Sequence, residues 1–173
     1  MSSDKGCDQH GRGTPIASFA YTDQEKAVLA IARHYFTSFA APQCHGWISG
    51  ISCALCVFGD RRGPEIAVAV LSAVQAMRRA RRSTFCFNSP DCDTCAAHVT
   101  PHEQTLMSAL RATAGQRREA AQGHAALLCE GNPVAPLLRA LETLADRALQ
   151  PNWPQSSVVP LGAAGVKSRA GSM

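Results

Sequence analysis

Aromatic side chains are scarce: Phe, Trp and Tyr make up 6% of the 173 residues, and charged residues 17%. The first shortage leaves few rings on which nucleobases could stack and few large anchors for a core. Much of the 46% hydrophobic fraction is alanine, which favours helices but contributes little buried area. The core is therefore expected to rest on a limited set of Leu, Val, Ile and Phe side chains.

Long apolar runs are also missing. The longest, Ile66 to Met77, contains Ser72 and Gln75 and is shorter than the ~18 residues that span a bilayer. No membrane association is expected. The start, Met1-Ser-Ser-Asp-Lys-Gly-Cys7, shows no charged-then-apolar leader, which points to a cytoplasmic chain.

The sequence has no phosphate loop, no G-x-G-x-x-G, no H-E-x-x-H and no G-x-S-x-G. Cys56 is followed by Val57 and Cys95 by Ala96, so the C-x-x-C-H of haem attachment is absent. The βαβ pattern around a thioredoxin-like redox pair is missing too. Glu103 near His98 and Cys95 is the single arrangement that suggests acid–base work, and a capping box already accounts for it. Catalysis is not expected. The net charge of +4 permits an acidic partner without requiring one.

What the chain does contain is cysteine, eight in all. In a reducing cytosol that number is better explained by metal binding or redox chemistry than by a disulfide framework. Five fall in two groups: Cys53 and Cys56 form a C-x2-C pair, and Cys86, Cys92 and Cys95 form C-x5-C-x2-C. Structural zinc takes four ligands in a tetrahedron, mostly thiolate or imidazole. A C-x2-C pair in a turn can place two sulfurs on one ion, and two such pairs clamp two elements together. The ion would then staple the entrances of the second and third helices. The 35 residues between Cys56 and Cys92 exceed the usual ribbon spacing of about 15–20. An iron–sulfur cluster is the alternative, because four thiolates hold it as well.

His98 and His102 follow as Cys95-x2-His98-x3-His102, and either imidazole could replace a thiolate. The candidate ligands are Cys53, Cys56, Cys86, Cys92, Cys95 and His98. His102 reads more simply as a surface residue in a first helical turn. Against the metal reading, Cys53 and Cys56 lie in the apolar segment Ile51 to Phe58, where a thiol behaves as a small buried apolar group. Cys86, Cys92 and Cys95 lie in polar turn sequence around Asn88-Ser-Pro-Asp91. Cys44-His45 could form a thiol–imidazole pair, but adjacent side chains project apart. Cys7 reads as a tail thiol, and Cys129 and His124 as core and flank residues.

The periodicity gives five helices. Thr22-Asp-Gln-Glu25 is a capping box, followed by Val28, Ala32, Tyr35 and Phe39 at helical spacing until Pro42. Gly63-Pro64-Glu65 opens the second helix, with Ile66, Val70, Val74 and Met77 on one face and Arg78, Arg79, Arg81 and Arg82 at its end. Thr100-Pro-His-Glu103 opens the third, with Leu106 and Leu110 inward. The fourth runs from about Gln116 to Glu130 with a break near Gly123, and the fifth carries Val134, Leu137, Leu138, Leu141, Leu144, Ala145 and Ala148. Residues 51–58 fit either a short strand or a buried helical turn.

The expected fold is mainly α: a single small helical bundle of about five helices, residues 21–150, with cysteine-rich loops. Residues 1–20 and 151–173, rich in Gly, Ser and Pro, are expected to be disordered tails. The expected function is a non-catalytic, metal-binding module, structural or regulatory, with zinc ahead of iron–sulfur and a protein as partner. Two competing readings are an iron–sulfur redox or metal sensor, and a DNA-binding regulator using the Arg78–Arg82 cluster. A helix C-terminus stabilises such charges in any protein, so nucleic acid is not favoured.

Overall fold

The computed structural model describes residues 13–149; Cys7 and the expectations for residues 1–12 and 150–173 lie outside the described residues. Among the described residues six α-helices follow one another: α1 (Asp23–Ala40), α2 (Gly46–Ala80), α3 (Asp93–Ala96), α4 (Pro101–Ala114), α5 (Arg118–Leu128) and α6 (Ala135–Ala148). A two-residue antiparallel ladder pairs β1 (Thr14–Pro15) with β2 (His98–Val99). The protein is mainly helical, as its periodicity indicates.

Local chemistry starts α1 and α4 where the sequence places them. At α1, Thr22 Oγ1 accepts from the Glu25 amide at 3.2 Å, and the Glu25 carboxylate accepts from the Thr22 amide at 2.8 Å. The same reciprocal box joins Thr100 and Glu103 at α4. Each box satisfies two amides that the first helical turn cannot pair internally.

The bundle is built on α2, which packs against α1 on one side and α6 on another, while α4 packs against α5 and α6. The apolar stripes meet in one core, where Leu29, Ile31, Ile66, Met77, Leu110 and Leu137 are among the fully buried side chains. Cys129 is also completely buried and belongs to that core. Among the described residues, no helix is long and apolar enough to cross a membrane.

Residues 51–58 take the helical one of the two conformations their pattern fits. Three local expectations need correction. The helix boundary expected at Gly63-Pro64 lies earlier, at Gly59. Gly59 has φ 75° and ψ 168°, a region essentially restricted to glycine, and it divides α2 into two limbs. The turn is tight enough that a Cβ on Gly63 would lie 2.8 Å from Leu55 Cα. Pro64 consequently stands inside the second limb rather than at its start.

Residues 13–20, expected to fall in a tail, form β1 and a 3-10 turn at Ile16–Ser18. The Ile16 amide donates to the Ala97 carbonyl at 2.9 Å, and Ile16 and Phe19 pack on the core. That ordering comes from a partner more than 80 residues away, which no local pattern reveals. Finally, α5 runs through Gly123 without a break and ends before Gly131, whose φ of 77° turns the chain.

Candidate functional site

The segment from Arg81 to Thr100 carries three of the candidate cysteines and has almost no regular structure of its own. It is held from beneath by a buried ion pair. Arg33 on α1 donates from Nε to Glu103 Oε1 at 2.7 Å and from Nη2 to Oε2 at 3.0 Å. The rest of both groups grips backbone. Arg33 donates to the carbonyls of Ala96 at 2.9 Å and His98 at 2.5 Å. Glu103 accepts from the amides of Asn88 at 3.0 Å and Thr100 at 2.8 Å. The buried Asn88 side chain adds a bond to the His98 carbonyl at 2.8 Å. A charge taken out of water is tolerable only when its lone pairs and protons are used in this way.

Both ends of the stretch from Cys92 to His98 are therefore fixed, Asn88 on one side and Ala96 to Thr100 on the other. Aromatic packing adds to this. Phe36 on α1 stacks on Phe85 at 4.4 Å between centroids, and Phe87 lies 5.4 Å away from it.

Within the turn, Cys92 is the residue that caps α3, and its sulfur accepts from the Cys95 amide at 3.5 Å. His98 places Nδ1 2.9 Å from the Thr94 carbonyl. A carbonyl can only accept, so Nδ1 carries the proton and Nε2 keeps its lone pair in the neutral ring. That is the arrangement in which imidazoles usually bind metals. His102 has the opposite arrangement: its Nδ1 accepts from the Cys86 amide at 2.9 Å. Burial, together with the charge of Arg81, lowers the His102 pKa. Cys86 is exposed, with its amide on His102 and its carbonyl accepting from Thr100 Oγ1 at 2.8 Å.

Cys53 and Cys56 lie on the first limb of α2, one turn apart. Cys53 is half-buried and packs against the core, while Cys56 is exposed. Burial raises the Cys53 pKa, and the neighbouring Cys56 raises it further, so this thiol holds its proton. Among the described residues, no three His, Cys, Asp or Glu side chains are grouped so as to hold a metal ion. The two C-x2-C pairs are therefore not assembled into one four-thiolate site. The helix between them ends at Ala80, and the loop that follows docks on Arg33 and Glu103 rather than on the first limb's thiols.

No family model, curated protein or solved structure matches the chain.

Cys44 and His45 are both exposed, and His45 adopts φ 53° and caps the start of α2. Glu103 accepts from four donors, Nε and Nη2 of Arg33 and the amides of Asn88 and Thr100. Arg33 was not evident as a functional residue. Its signal was present, since it lies four residues after Leu29 and three before Phe36, on a helix face that is otherwise apolar. A charge in that position needs a buried partner.

Proposed function

We propose that the protein is a non-catalytic binding or regulatory module, working in a reducing cytoplasm, in which the turn from Cys92 to His98 takes one thiophilic metal ion. The observation that carries this reading is the Cys95 amide donating to Cys92 Sγ at 3.5 Å. Such a bond stabilises negative charge on sulfur, and the thiolate is the metal-binding form. Cys92 and Cys95 are the first two ligands. His98, through Nε2, and Cys86 are the further candidate ligands; the described structure does not group them with Cys92 and Cys95, so the ion itself would have to draw them in.

Zinc is favoured over an iron–sulfur cluster. Zinc accepts mixed thiolate and imidazole sets, whereas a cluster is held mostly by four thiolates. Cys53 and Cys56, the additional thiols such a cluster requires, lie on the first limb of α2, whereas the loop docks on Arg33 and Glu103. The ion's role is structural: it closes the turn that Arg33 and Glu103 hold from the other side, leaving a helical surface to meet a partner protein.

Metal analysis of protein purified without oxygen tests the reading. We expect one zinc per chain and no visible colour. A brown protein containing iron would replace zinc with a cluster. Absence of both metals, with unchanged thermal stability in Cys92→Ala/Cys95→Ala, would reduce these cysteines to ordinary thiols.

A further inference from the structure

Just past α2, Arg81, Arg82 and Ser83 turn their donors to one side and form a cradle for an anion. Glu130, beyond the end of α5, sends its carboxylate into it. Oε2 accepts from the Arg82 amide at 2.8 Å and the Ser83 amide at 3.2 Å. Oε1 accepts from the Ser83 hydroxyl, and Arg81 Nη2 lies 3.2 Å from it. Successive backbone amides facing one way make an anion-binding concavity. A helix C-terminus by itself repels an anion, and here the donors outweigh that repulsion. The Ser83 hydroxyl first, with the amides, brings the Glu130 pKa down to about 2.

The carboxylate leaves one donor of this cradle unused. Nε and Nη2 of a guanidinium donate side by side along one edge, which suits a bidentate oxyanion. Two other arginines complete that edge. Arg33 sets Nε and Nη2 on the two oxygens of Glu103, and Arg111 sets its own on Glu25. On Arg81 only Nη2 is engaged, by Ser83 Oγ at 2.8 Å and by Glu130. Its Nε has no hydrogen-bond partner among the described residues, on a side chain only 6% exposed. A buried N–H left in this way is costly. Glu130 cannot relieve it, because four donors already fill the roughly four acceptor sites of a carboxylate. A third oxygen is needed.

We propose that this cradle is a phosphate-binding site, which Glu130 occupies until a phosphate dianion, free or at the end of a small phosphomonoester, takes its place. A tetrahedral oxyanion supplies the extra oxygen for Arg81 Nε and carries more charge than a carboxylate. Arg78, Arg79 and Arg82, all exposed, add positive charge along the same stretch of chain. The exchange does not require the turn after α5 to open. Asn132 Nδ2 still donates to the Ala80 carbonyl at 2.8 Å, and Arg81 Nη1 to the Leu128 carbonyl at 2.9 Å. Glu130 itself is exposed and can swing into water. The cradle shares no residue with the turn from Cys92 to His98, so this inference stands apart from the metal reading.

Calorimetric titration of the full chain with inorganic phosphate and with phenyl phosphate tests this, acetate serving as the two-oxygen control. The parent should bind phosphate weakly, because Glu130 competes. Glu130→Ala removes the competitor and should bind at least tenfold more tightly, about 1.4 kcal/mol, with acetate at least tenfold weaker than phosphate. Adding Arg81→Lys, which keeps the charge but loses the paired N–H edge, should undo that gain. Ser83→Ala, at an exposed position, should also weaken phosphate in the Glu130→Ala background, and it decides the matter if Arg81→Lys does not fold. Phenyl phosphate bound as tightly as phosphate assigns the site to a phosphomonoester; its rejection assigns the site to the free ion. No saturable phosphate binding by Glu130→Ala, acetate as tight as phosphate, or affinity indifferent to Arg81→Lys and Ser83→Ala would overturn the proposal and leave Glu130 a structural latch. Cys92→Ser/Cys95→Ser should leave phosphate affinity unchanged, which separates this result from that of the metal analysis.

Discussion

Arg33 Nε donates to Glu103 Oε1 at 2.7 Å, and the two side chains are only 4% and 0% exposed. They are 70 positions apart in the chain. The pair joins α1 to α4 and, through its remaining hydrogen-bonding capacity, fixes four backbone groups of the cysteine-bearing loop. It is less a bridge between two helices than the floor on which the candidate site stands.

Removing one partner leaves the other charge buried and alone. Arg33→Ala or Glu103→Ala should cost about 3–5 kcal/mol in urea unfolding. A double apolar replacement, Arg33→Met/Glu103→Leu, often restores stability for an isolated buried pair. Here it should recover only part of the loss. The amides of Asn88 and Thr100 and the carbonyls of Ala96 and His98 would still lack partners, at about 1–3 kcal/mol for each that stays dry. Full recovery would mean that the loop does not depend on this pair.

Stability should also fall in two steps as the pH drops. Burial and, at His102, Arg81 lower the His34 and His102 pKa values, Asp91 and Glu130 opposing in part. The unfolded chain then binds more protons, so this contribution is complete above about pH 6.5 and is lost as pH falls through the folded values. At Glu25, burial raises the pKa, but the hydrogen bonds from Arg111 at 2.5 and 2.9 Å, with those of Thr22, outweigh it and the net shift is downward. The Ser83 hydroxyl and nearby amides bring exposed Glu130 down to about 2. The carboxylate contribution is present above their unfolded pKa of about 4.3 and is lost below it. Urea unfolding at intervals from pH 8 to 3 should show both steps, and Glu25→Gln should diminish the acidic one.

Three glycines should respond differently to alanine. Gly59→Ala forces a side chain into a backbone region open almost only to glycine, costing on the order of 1–3 kcal/mol. Gly63→Ala sets a Cβ 2.8 Å from Leu55 Cα and must spread the two limbs of α2. Gly123 lies inside α5 with nothing within 4 Å of a Cβ. Gly123→Ala should therefore stabilise by about 0.4–1 kcal/mol. Thermal unfolding of the three variants measures the ordering; a stabilising Gly59→Ala would contradict the kinked form of α2.

The parts of this fold that could be read from the sequence are those whose causes are local. Both capping boxes lie within four residues, and of the expected stripe Leu137, Leu141, Leu144, Ala145 and Ala148 are buried while Val134 and Leu138 are partly buried against the core. The break at Gly59 was hidden because Pro64 gave a stronger nearby signal. Residues 13–20 looked structureless because what orders them is the Ala97 carbonyl.

The candidate site divides in the same way. The difference in setting between the polar turn holding Cys92 and Cys95 and the apolar segment holding Cys53 and Cys56 was visible in the residue types. The grip on that turn was not, because Arg33 and Glu103 meet only once α1 and α4 have packed. At Glu103 the local cap is legible in the sequence, while the partner 70 positions away is not.

The central claim is that the loop, without the first thiol pair, binds metal. Titration of the reduced, metal-free protein with cobalt(II) tests it most directly, since thiolate ligation in a tetrahedral site produces charge-transfer and visible bands. The account predicts these bands in the parent and in Cys53→Ser/Cys56→Ser, and their loss in Cys92→Ser/Cys95→Ser. Bands that vanish in Cys53→Ser/Cys56→Ser, or that never form in the parent, would contradict it.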